Sequence, residues 1–181
     1  MMACMASPSK DPAAHLVELR TSFERRGVGG LQALVDKLAP SDAWMDALID
    51  SVADEGTSVP ATWMLRAYLE RGVELERSQT AALLRCVNRI ADDDARLHVC
   101  QSVARLEVPA RNAEQLARFL REGCRGEHKF TRAWATDAFH RLALQHKRYR
   151  VEAHEWLQRA HRDAAASVRA RARNIAKELG R

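Results

Sequence analysis

No stretch of this sequence approaches the roughly 18 consecutive apolar residues that suggest a membrane span. Residues 1–22 lack the basic stretch followed by an apolar core that a signal peptide needs. A soluble, cytoplasmic protein without membrane contact is therefore expected. The cysteines, Cys4, Cys86, Cys100 and Cys124, form no CxxC pair and no small-domain disulfide spacing, which fits a reducing compartment. Of the histidines only His154 and His161 share a clear helical spacing, and seven residues is too far for the i, i+4 metal pair of an HExxH motif. Gly27-Val28-Gly29-Gly30 follows a helical segment, not a strand, and lacks a P-loop lysine, so it reads as a break between helices. Neither a metal nor a cofactor is expected.

Charge is present but unevenly spread. Residues 1–110 carry 12 Lys+Arg against 16 Asp+Glu, and residues 111–181 carry 17 against 8, so the halves differ at −4 and +9 around the net +5. Such a split gives the molecule one end that attracts phosphate, nucleic acid or an acidic protein surface.

The organisation is a repeat. Segments beginning at Thr62, Arg96, Arg132 and Arg169 align without gaps at successive offsets of 34, 36 and 37 residues. That period belongs to stacked helical hairpins, which cannot bury their apolar faces alone. The expected fold is all-α: residues 1–11 a poorly ordered tail, and residues 12–181 one α-solenoid domain of about four to five repeats. Pro12 opens a helix, the glycines from Gly27 to Gly30 break it before Leu31–Leu38, and these two pieces form an N-terminal capping pair. Four hairpins follow. Trp44, Leu48 and Val52 line the first helix of the first, and Pro60 opens its partner, which Gly72 stops. The second pairs Ser78–Ala91 with Asp94–Leu106, and the third pairs a helix starting near Pro109 with Phe130–Leu144. The fourth pairs Val151–His161 with Ala165–Leu179, where Val168, Ala172, Ile175 and Leu179 make an apolar stripe before Gly180.

The segments Thr131-Arg-Ala-Trp-Ala-Thr-Asp-Ala-Phe and Ser167-Val-Arg-Ala-Arg-Ala-Arg-Asn-Ile-Ala, with the preceding Asp163, resemble the second helix of HEAT repeats over roughly residues 41–180. The resemblance implies an α-solenoid whose second helices line a concave side. It also implies that arginines in the slots of Arg132 and Arg169 support turns and inter-repeat packing. The second unit departs from the pattern around Arg96, and the first has Thr62 in the arginine slot. Fold of this kind does not fix function.

If second helices face inward, Arg169, Arg173 and Lys177, at i, i+4 and i+8, meet successive phosphates or carboxylates, while Arg171 projects elsewhere. Arg132, Trp134 and His140 extend this candidate ligand-binding stripe. The expected function is a non-enzymatic binding or scaffold module for an acidic protein partner, with the oligomeric state left open. Nucleic acid is the alternative partner. Trp134, Asp137 and Arg173 are also similar to the aromatic, acidic and basic set of the DNA-alkylation-repair branch of HEAT-like proteins, which implies stacking on a base, stabilising a cationic sugar and holding phosphate.

Overall fold

A computed structural model describes residues 11–179. All but Asp11 of the expected tail, and the expected stop at Gly180, lie outside them. The described residues form nine helices and no strand: α1 Pro12–Lys37, α2 Asp42–Asp50, α3 Ser58–Glu70, α4 Arg77–Cys86, α5 Asp93–Ser102, α6 Ala113–Arg125, α7 Lys129–Gln145, α8 Arg150–His161 and α9 Ala166–Leu179. None is long and apolar enough to cross a membrane. The all-α expectation therefore holds, and each helix of the four anticipated hairpins is present, from α2–α3 to α8–α9.

Helix starts follow local chemistry. Asp11 accepts a hydrogen bond from the Ala13 amide with Pro12 in the first turn, Ser41 accepts one from Trp44, and Asp92 accepts from Asp94 and Ala95. Each satisfies amides that the helix itself leaves unpaired. Glu76 and Gln79 close a reciprocal capping box at α4.

The anticipated N-terminal pair is present as two helical arms within α1, broken at Gly27 and folded against each other. Glu18 and Lys37 sit 19 residues apart, about 28 Å along a straight helix, yet their side chains form a 2.7 Å ion pair. The fold lies at Gly27, whose φ of 55° and ψ of −140° suit only glycine. A Cβ on Gly30 would collide with the Ser22 carbonyl oxygen, so the two arms meet backbone to backbone.

The second helices pack in order, α3 on α5, α5 on α7 and α7 on α9, while α2 meets α4 and α4 meets α6 on the other side. Side chains about one repeat apart touch. Thr62 meets His98 at 3.2 Å across 36 residues, Arg66 meets Gln101 at 2.6 Å across 35, and Arg141 pairs with Glu178 across 37. A continuous core runs from Leu19 to Trp156. A smaller one, built from Ala133, Leu157, Ala160, Val168, Ala172 and Ile175, holds the last hairpin.

Candidate functional site

The arginines in the repeat slot face the hairpin turns. Arg132 grips Asp163 with two nitrogens at 3.0 and 3.1 Å, and its third donates to the carbonyls of Gly126 and Glu127 at 3.0 and 2.6 Å. Arg169 donates to the carbonyls of Asp163 and Ala164 at 2.6 and 2.7 Å. Arg96 does the same to Ile90 at 3.1 Å, six residues back as in the other two. These carbonyls lie in the turns and helix ends between paired helices, where the ladder leaves acceptors open, and a guanidinium fork satisfies two at once. Bonding from Arg132 holds the Asp163 carboxyl below the usual carboxylate range, reinforced by the Ala165 amide. All three nitrogens of Arg132 and one of those of Arg169 are thus committed inside the fold.

Trp134 has a different neighbour from the one the stripe supplies. The Arg171 guanidinium lies over its ring at 3.5 Å to the centroid, a cation–π contact joining α7 to α9. Arg173 stands two residues on, about 200° round the helix, so the structure brings Trp134 together with Arg171 rather than with Arg173 and Lys177. Beneath this pair Asp137 is buried, with one carboxylate oxygen 3.6 Å from Arg141 and the other without a hydrogen-bond partner. Burial raises its pKa, against the opposing pull of Arg141 and Arg171. Arg141 also pairs with Glu178 of α9.

Arg173 and Lys177 are exposed, away from the buried stripe of Val168, Ala172 and Ile175, and make no hydrogen bond or ion pair among the described residues. Their surroundings are short of free carboxylate. Of the acidic residues in 150–179, Glu152 is taken by Arg121, Asp163 by Arg132 and Glu178 by Arg141, which leaves only Glu155. The arginines of those pairs come from the preceding hairpin, so the last hairpin sets the positive charge of Arg150, Arg159, Arg162, Arg173 and Lys177 against Glu155 alone.

His140 is within electrostatic reach of Arg141, Asp137 and Glu178 but makes none of these contacts. It lines a groove of about 300 Å³ formed by the end of α7, the start of α8 and the end of α9, together with Leu144, Arg150, His154, Leu157 and Leu179. Burial, with the positive charge of Arg141, lowers its pKa. A larger cleft of about 630 Å³ opens at the other end of the stack, among Phe23, Asp54, Glu55, Val59, Pro60 and Asp92. Its rim is acidic, so the charge split in the sequence survives as two chemically opposite ends. Sequence reasoning gave no site role to Leu144 and Arg150 and weighed His154 only as a metal ligand, because nothing in the repeat pattern joins the end of one helix to the start of the next. Arg171 carried a readable signal, standing 37 residues after Trp134 at its repeat-equivalent position.

No family model matches the chain, and no curated protein or solved structure matches it significantly. The architecture and the surfaces therefore rest on their own geometry: an all-α stack of paired helices with a basic C-terminal end.

Proposed function

We propose that this protein is a HEAT-like α-solenoid acting as a non-enzymatic binding module, which takes an acidic protein surface against its last hairpin. The supporting observation is the excess positive charge there. Glu152, Asp163 and Glu178 are already neutralised by Arg121, Arg132 and Arg141, while Arg173 and Lys177 stand exposed on α9 with no carboxylate to satisfy them. Exposed charges of this kind act mainly by steering encounter and excluding wrong partners, so specificity comes from the shape of the stack.

The test is a double charge reversal, Arg173→Glu with Lys177→Glu, on a partner co-purified from the native cell after nuclease treatment. Association falls by about tenfold or more, weakens with added salt, and helical content is unchanged because neither side chain bonds within the fold. Retention of the partner by the reversed variant would sink the reading.

Nucleic acid is the second reading, favoured by the Trp134–Arg171 stack and by Phe130, 45% exposed one turn before Trp134 with Lys129 over its ring. An aromatic pair flanked by cations suits stacked bases and phosphate. On this reading a single-stranded oligonucleotide binds, and Trp134→Ala weakens it. Base-release chemistry, a smaller extension, requires Asp137 and is lost in Asp137→Asn.

A further inference from the structure

The groove around His140 has a composition that neither reading uses. Its floor and walls are Ala143, Leu144, Ala153, Leu157 and Leu179, and its polar lining consists of Arg150, His140 and His154 alone. Leu144 is 55% and Leu179 54% exposed, and together they open the apolar side of the groove to solvent. Arg150 is exposed and makes no hydrogen bond or ion pair among the described residues, and no carboxylate lines the groove. His140 makes no hydrogen bond among the described residues, and His154 has only a 3.5 Å contact with Gln158. The site thus offers apolar walls at one side and three nitrogen-bearing groups at the other, and the Asp137 and Glu178 carboxylates that act on His140, against Arg141, do not line the groove.

We propose that this groove binds a small amphipathic carboxylate, its apolar chain against Leu144, Leu157 and Leu179 and its carboxylate on Arg150 and the two imidazoles. Arg150 supplies the paired N–H geometry that matches a carboxylate. The groove volume of about 300 Å³, at about 30 Å³ per heavy atom by analogy with water, accommodates about ten heavy atoms, the size of a straight eight-carbon acid. This site is separate from the outer face of α9 that carries Arg173 and Lys177, so it stands or falls independently of the proposed protein partner.

The probes are octanoate, octylammonium and octanol, which share one chain and differ in head group, titrated into the full chain and followed by amide chemical shifts. Octanoate gives saturable shifts confined to the end of α7, the start of α8 and the end of α9, and octylammonium gives none at the same concentration. Arg150→Glu weakens octanoate by about tenfold and turns the preference toward octylammonium, while Leu144→Asp removes octanoate binding without loss of helical content. Two outcomes overturn the proposal: no saturable octanoate shift in the groove, or equal binding of octanoate, octanol and octylammonium.

Discussion

At the residue scale, the repeat-slot arginines were legible in the sequence, but the choice between their two expected roles, turn support and ligand contact, was not. Similar spacing of Arg132 and Arg169 is what a shared turn bond and a shared ligand stripe both require, and spacing alone cannot separate them. The separation comes from Asp163 and the turn carbonyls, which occupy Arg132 entirely. His98 illustrates a second kind of residue that pattern hides. It stands in the same repeat slot as Trp134, yet it is buried, bonded to Thr62 at 3.2 Å, and its pKa is lowered to about 4 by burial and then by Arg66, against Asp92. A folded-state value below the unfolded 6.5 means the unfolded chain binds the extra proton first. The stability that neutral His98 secures is complete above pH about 6.5 and is lost as pH falls toward about 4. Denaturant melts between these pH values should lose up to about 3 kcal/mol from this group, and His98→Gln should flatten that part of the profile. An unchanged profile in the variant would mean that other groups carry the acid sensitivity.

Among the elements, hairpin order was readable because Gly and Pro punctuate it, while helix ends were not. Val87–Arg89 and Val103–Arg105 close α4 and α5 as tighter single turns, since the chain must turn before Ile90 and Leu106 can reach the core. The glycine run after Arg26 breaks α1, and its glycines do different work. Gly27 alone has the left-handed φ, and a Cβ there meets nothing within 4 Å, so any cost of substitution lies in the backbone. Gly29 has equally open space with an ordinary helical backbone. Gly27→Ala should therefore destabilise by about 1–3 kcal/mol, and Gly29→Ala should be neutral or stabilise by up to about 1 kcal/mol. Equal effects in thermal melts would show that the sharp fold of α1 does not depend on Gly27.

For the whole molecule, the consequence of stacking is that each hairpin depends mainly on its neighbours. Among the second helices, α9 buries the fewest residues. α9 buries only Val168, Ala172 and Ile175, in a core separate from the one that runs through α1 to α8, whereas α3 and α7 each bury nine residues. Its remaining ties to α7 are the Trp134–Arg171 and Arg141–Glu178 contacts, both partly exposed. Removing the Ile175 side chain beyond Cβ costs about 2–4 kcal/mol at a fully buried site, comparable to the whole apolar contribution of α9, where each buried Val or Ile supplies about 2 kcal/mol. Ile175→Ala should therefore open α9 locally without unfolding the chain. Hydrogen exchange reads this directly: amides of α9 and the facing side of α7 should lose protection, while those of α2 and α3, three hairpins away, keep wild-type rates. Because Leu179 closes one side of the carboxylate groove and Arg173 and Lys177 lie on the same helix, both surfaces should weaken together in this variant although neither is touched. Uniform acceleration of exchange from α2 to α9 would instead mean that the stack folds as one unit, and the C-terminal end would then lack the separate stability assigned to it.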